Sequence, residues 1–256
     1  MEKTSNTPKM LFEYILQLAD NQLILAQRLS ELCGHGPALE QDIAITNISL
    51  DLIGQSRLLF QYAGKLDEQH RNEDQLAFLR PEKEYRNLLL VEQPNRDFAH
   101  VVLRQYLFDE FNFLNYSGLT NSKDEELAAI ATKSLMEVKY HLRFSKNWVL
   151  RLGDGTAISH RKMQDALNNL WMYAGEMFEK TAIERDLVKA GIAVDVEQLM
   201  PTWKESVMST LKEATLNIPE GGWYQSGGKK GVHSEHLGHL LAEMQFMQRA
   251  YPNLTW

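Results

Sequence analysis

The sequence predicts an all-α protein: a four-helix bundle with a long crossover between helices two and three and additional helices at the C-terminal end. Three observations carry this. Apolar residues recur at helical spacing through long stretches, as in Leu11, Ile15, Leu18, Leu25, Leu29 and Leu32. No segment keeps the apolar–polar alternation of a half-buried strand. Glycine, proline and polar clusters separate the periodic stretches, stopping one helix and starting the next. A chain of 256 residues can bury a full core. No internal repeat or low-complexity segment divides it, so a single helical domain over 1–256 is expected.

The first helix is expected over 9–32, ended by Gly34-His35-Gly36-Pro37. The second covers 38–66, with Ala44, Ile48, Asp51 or Leu52, Gln55, Leu59 and Tyr62 facing inward. The stretch 67–95 is the crossover, which a bundle needs if its second and third helices run parallel. Its opening run, Asp67 to Asp74, is polar and reads as a surface loop; Leu88-Leu89-Leu90-Val91 predicts that a later part is buried. The third helix, over 96–119, places Val102, Tyr106, Asp109, Phe113 and Tyr116 on one face. Ser122 with Glu125 three residues on reads as a capping box for the fourth helix. That helix runs to about 152, its inner face Ile130, Ser134, Val138, His141, Ser145 and Trp148, before Gly153-Asp154-Gly155 ends it. Further helices fit 159–190 and 196–216, then a glycine-rich loop over 217–231 and a last helix over 232–250.

A net charge of -7 argues against nucleic acid or an anionic membrane as the partner. Hydrophobic content of 44% and charged content of 24% are ordinary for a globular domain. No apolar run is long enough to span a bilayer, and the N-terminal residues Met1 to Pro8 carry no signal-peptide apolar region. The single cysteine, Cys33, rules out an internal disulfide and reads as a small buried hydrophobe. A cytoplasmic protein is the expectation.

The chemistry hinges on two polar pairs at i, i+3 spacing. Leu52-Ile53-Gly54-Gln55 lies on the second helix and Val138-Lys139-Tyr140-His141 on the fourth. In ferritin-like di-iron carboxylate proteins these positions read Glu-x-x-His twice, with a further carboxylate from each remaining helix. Here Leu52 and Val138 cannot ligate, Gln55 is a poor iron ligand, and His141 alone keeps an imidazole. The other inward polar residues, Gln22, Asp51, Asp109 and Glu137, can form a hydrogen-bonded network or a residual metal site.

Other motifs carry weaker signals. Asp67/His70 and Asp97/His100 have acid-x-x-His spacing but do not sit mid-helix. His233, His236 and His239 spread over ~120° of one helix, too few ligands for a full shell. Gly227-Gly228-Lys229-Lys230-Gly231 has backbone N–H groups and two cations for an anion or an acidic docking partner, though it is not a P-loop. Glu84-Tyr85-Arg86-Asn87 sits in a basic, aromatic patch on the crossover.

The chain resembles the PaaC-type non-catalytic subunits of bacterial phenylacetyl-CoA epoxidases, members of the ferritin-like superfamily. The strings that carry the resemblance are Leu50-Asp51-Leu52-Ile53-Gly54-Gln55-Ser56-Arg57, Asn87 to Asn95, Glu137 to Ser145 and Gly227 to Gly238. The resemblance implies a partner that carries the di-iron centre, with its two Glu-x-x-His motifs at the places of Leu52/Gln55 and Val138/His141. It implies no catalytic residue and no cofactor in this chain. A reductase subunit with FAD and an iron–sulfur cluster would deliver electrons from NADPH for ring epoxidation with O2. The candidate contacts to phenylacetyl-CoA are Glu84, Tyr85, Arg86 and Asn87, with Arg185, Asp186 and Leu187 a second group; Lys229 and Lys230 are the candidate anion or docking pair. Trp171, Met172, Tyr173 and Phe178 fit either a partner surface or the core. Two other readings stay open at this point. One is an independent di-iron or di-manganese oxidase using Asp51, Asp109, Glu137 and His141. The other is a metal-free acyl-CoA-binding protein.

Overall fold

A computed structural model describes residues 7–220, 225–252 and 254. The N-terminal residues before Thr7, and residues 221–224 of the glycine-rich loop, lie outside the described residues. The fold is all-α and ferritin-like; no strand occurs among the described residues. The helices are α1 (Thr7–Ser30), α2 (Leu39–Leu66), α3 (Glu73–Phe78), α4 (Phe98–Leu119), α5 (Glu125–Gly153), α6 (Ala157–Leu170), α7 (Ala182–Ala190), α8 (Val196–Glu213), α9 (Glu235–Met244) and α10 (Phe246–Ala250). A single domain is the expectation from sequence; by contacts the chain groups into two compact units. One comprises Met1–Cys33, Ile43–Pro94 and Gly227–Trp256, the other Gly34–Asp42 and Asn95–Ser226.

In the first unit α1 is buried almost all round along its middle, so its sequence reads as apolar beyond a single stripe. Ser49 of α2 ties it to α1, its hydroxyl 2.8 Å from that of Ser30 and 2.9 Å from the Ala26 carbonyl. The crossover is more ordered than its composition suggests. Asp67 is buried and holds the guanidinium of Arg71 at 2.8 Å, and α3 opens with a capping box between Asn72 and Gln75. The run Leu88-Leu89-Leu90-Val91 is buried, as expected. Gly228 meets this segment so closely that an added Cβ would lie 2.1 Å from the Asn87 carbonyl oxygen.

In the second unit α4 and α5 are the long central pair, and α6 and α8 pack on both. The aromatic run after α6 is core rather than surface. Trp171 stacks on Trp203 at 6.0 Å, Phe178 meets Trp203 edge-on at 5.2 Å, and the Trp203 indole N–H donates to the Leu107 carbonyl at 3.1 Å. Met172 and Tyr173 are half-buried.

Several local expectations are corrected. Asp124, not Ser122, caps α5: its carboxylate accepts from the Leu127 N–H, while the Ser122 hydroxyl is drawn to the Ile192 carbonyl at 2.7 Å. The helix expected over 159–190 breaks. Trp171–Phe178 tightens into a 3-10 run that buries its aromatics, and Thr181 with Glu184 starts α7 through a new capping box. The last helix divides at Gln245, whose side chain turns inward to donate to the Arg80 carbonyl at 3.0 Å. Leu52, not Asp51, is the inward residue of α2, and Trp148 is only half-buried. Cys33 is exposed.

Candidate functional site

Each of the four residues that the sequence singles out as polar-pair positions is buried within its own unit. Leu52 and Gln55 face inward on α2, and Val138 and His141 face inward on α5. In the second unit His141 belongs to a polar cluster with Asp109 of α4 and Ser145 of α5. The Asp109 carboxyl accepts from the Gln105 amide at 2.6 Å and from the Ser145 hydroxyl at 2.7 Å. Burial pushes this carboxyl up to about 7, against the pull of the His141 imidazole and of both hydrogen bonds. The neighbouring Glu110 is also raised, mainly by burial.

These residues do not fit a di-iron centre. Such a centre needs ionised carboxylates free to ligate. Burial raises the Asp109 carboxyl, and its two oxygens already accept hydrogen bonds from Gln105 and Ser145. Val138, one turn before His141, offers no donor atom. Among the described residues no group of three or more His, Cys, Asp or Glu side chains converges as a cation site. Asp51 and Glu137, offered by the sequence as inward carboxylates, are only half-buried.

The first unit contains a second buried polar cluster, which the sequence announces only in fragments. Asp20 of α1 pairs with the Arg80 guanidinium, both fully buried, and also accepts the Arg86 backbone N–H at 2.9 Å. Burial works against the charge on Arg80, but the facing Asp20 carboxylate raises its pKa overall. The Arg80 guanidinium lies 4.4 Å from the centre of the Tyr85 ring, and the Tyr85 hydroxyl donates to the Ala77 carbonyl.

A few residues on, Glu92 gathers the C-terminal segment. One of its oxygens accepts from the Ser234 N–H at 2.7 Å; the other accepts from the Asn87 amide and from His233 Nδ1, both at 2.9 Å. His233 Nε2 faces the Tyr85 carbonyl at 3.1 Å. Both ring nitrogens therefore meet acceptors, which requires an imidazolium. Burial opposes that charge, yet the Glu92 carboxylate raises the His233 pKa overall. Arg28 of α1 completes the tie, donating to the Glu92 carbonyl and to the His236 carbonyl, each at 3.0 Å. His233 is thus part of an ion pair, and His239 is exposed.

The predicted substrate-contact quartet divides accordingly. Tyr85 and Asn87 are buried and committed inward, while Glu84 and Arg86 stand part-exposed at the surface. The Arg86 guanidinium donates to the Lys83 and Tyr85 carbonyls and lies 3.8 Å from the Glu13 carboxylate. Gly231 brings the glycine loop against this patch, an added Cβ falling 2.8 Å from the Arg86 guanidinium. Lys229 is buried, so Lys230 is the solvent-facing member of its pair. Arg185, Asp186 and Leu187 belong to α7 in the other unit. Leu187 is buried, Asp186 lies 3.3 Å from Lys189, and Arg185 donates to the Lys180 carbonyl. Asp97, of the pair Asp97/His100, caps α4 and holds the His100 ring at 2.7 Å.

An all-α, ferritin-like fold defines the class to which this chain belongs. The chain belongs to the phenylacetic acid catabolic protein family, whose model matches residues 1–256. It is 49% identical over 246 residues, 96% of this chain and 99% of the relative, to the C-type subunit of the 1,2-phenylacetyl-CoA epoxidase of Escherichia coli strain K12. No helix among the described residues is long and apolar enough to cross a membrane.

Proposed function

We propose that this chain is the non-catalytic subunit of a phenylacetyl-CoA ring 1,2-epoxidase, where it pairs with and stabilises a di-iron catalytic subunit in aerobic phenylacetate catabolism. What supports the reading is the 49% identity to an epoxidase subunit over nearly the whole chain, together with buried Leu52 and Val138, which have no donor atom at the positions that the resemblance assigns to ligand carboxylates. The iron belongs to the partner; FAD and the iron–sulfur cluster belong to a reductase that draws on NADPH. This chain works in the cytoplasm and contributes surface and rigidity. Its buried ion pairs hold α1, the crossover and the C-terminal segment as one body.

Part-exposed Arg86 and exposed Lys230 mark the place on this chain where the phosphates of phenylacetyl-CoA would be met, Glu84 lying beside them. The test is reconstitution. The catalytic subunit and reductase should turn over phenylacetyl-CoA, with O2 and NADPH, at a small fraction of the full rate unless this chain is added. Arg86→Ala should raise KM for the thioester severalfold and leave kcat within a factor of two. Full turnover without this chain rejects the reading; an unchanged KM for Arg86→Ala rejects the CoA contact alone.

A further inference from the structure

One backbone carbonyl joins a buried ion pair to a solvent-facing arginine. The Tyr85 carbonyl meets His233 Nε2 at 3.1 Å and accepts from the Arg86 guanidinium at 2.9 Å. Both of its lone pairs are therefore held by cationic donors. The His233 side chain is fully buried, whereas that of Arg86 is 26% exposed and can reach a ligand.

The rest of the Arg86 environment is built around the same contact. Its guanidinium also donates to the Lys83 carbonyl at 2.8 Å, and its backbone N–H donates to Asp20 at 2.9 Å. Gly231, at a left-handed φ of 77°, brings the C-terminal segment over it; an added Cβ would strike the Lys83 carbonyl and the Arg86 guanidinium. An arginine held by two carbonyls has little side-chain freedom left to lose when an anion binds.

One proton on His233 decides whether the Tyr85 carbonyl is held. The Glu92 carboxylate keeps the Nδ1 proton, so a neutral ring is bare at Nε2. A bare Nε2 turns a lone pair on the carbonyl oxygen, and attraction becomes repulsion. The surrounding charges set the direction. Burial opposes the imidazolium, but the hydrogen bond and charge of Glu92 outweigh it, with smaller contributions of the same sign from the Tyr85 carbonyl and Asp20. The facing cations are Arg86 and Arg28, which donates to the Glu92 and His236 carbonyls, and Asp20 is shared with Arg80. His233 is raised above its ordinary 6.5, so the contact is complete below that value and lost as pH rises through the raised one.

We propose that His233 is a positioning residue for the phosphates of the thioester: its imidazolium pins the Tyr85 carbonyl, which holds the Arg86 guanidinium against the Lys230–Gly231 turn in the pose that receives them. This rests on the CoA contact proposed above and names the group that sets it. Loss of the Nε2 proton frees the carbonyl and takes from Arg86 one of its two fixed acceptors.

The reconstituted complex tests this with phenylacetyl-CoA and with phenylacetyl-pantetheine, which lacks the phosphates. KM for phenylacetyl-CoA should rise severalfold with pH while kcat shows no step at the same midpoint. That midpoint should match the His233 titration read by imidazole 15N NMR on the isolated full-length chain, and the Arg86 Nε–H signal should move with it. The pantetheine thioester should show no such step. His233→Gln, which keeps an amide donor and cannot titrate, should abolish the step. A step that survives in His233→Gln, or that appears equally with the pantetheine thioester, overturns the positioning role alone. An unchanged KM in Arg86→Ala overturns the CoA contact and this role with it. Should His233→Gln fail to fold, the wild-type spectra decide: an Arg86 signal indifferent to the His233 proton overturns the proposal.

Discussion

Arg80→Leu is expected to destabilise the chain by about 3–5 kcal/mol, the usual loss when one member of a buried ion pair is removed. Asp20 would be left charged and fully buried, keeping only the Arg86 N–H, and Tyr85 would lose the guanidinium that packs against its ring. Denaturant unfolding followed by far-ultraviolet circular dichroism measures this directly. The Asp20→Leu, Arg80→Leu double variant should be less damaged than the sum of the single changes, because it leaves no orphaned charge. A single-variant loss below about 1 kcal/mol would mean that water already reaches the pair.

Asp109→Asn is expected to stabilise the protein above neutral pH and to flatten its stability profile. The Asp109 carboxyl is raised from an ordinary 3.8 to about 7 by burial. The folded state therefore binds the proton more tightly than the unfolded chain, and stability from this group is complete below pH 3.8. It is lost as pH rises from there through about 7. At about 1.4 kcal/mol per pKa unit, the loss has an upper bound of a few kcal/mol at about pH 8. An amide in the same place can still hydrogen-bond Gln105 and Ser145 without a charge to bury. Thermal midpoints of the two proteins should differ by several degrees at about pH 8 and converge only below pH 3.8. Parallel profiles would show that Asp109 stays ionised, which is the condition a metal ligand needs.

The residues legible in the sequence are those whose role is local. Helical spacing places α2, α4 and α5 to within a residue or two, because apolar periodicity and stop signals are written in neighbouring positions. The inward turn of Leu52, Gln55, Val138 and His141 follows from the same periodicity. The clusters that tie the crossover down are not legible. Asp20 meets Arg80 across 60 positions and Glu92 meets His233 across 141, and no local pattern marks such partners. The capping of α5 is ambiguous in sequence because two acceptors, Ser122 and Asp124, lie two residues apart, and only the distant Ile192 carbonyl decides between them. Tyr85 reads as a ligand-facing aromatic for the same reason: Arg80 and Gln245, which claim its face and its hydroxyl, are set by tertiary packing.

Elemental analysis of iron is the most direct test of the scaffold reading, made on this chain purified alone and on the complex with its catalytic partner. The donor set here predicts no stoichiometric iron in the isolated chain and about two iron atoms per heterodimer, the number one di-iron bundle holds. About two iron atoms in this chain alone would contradict it, and would make Asp109 and His141 ligands of an oxidase with a donor set of its own.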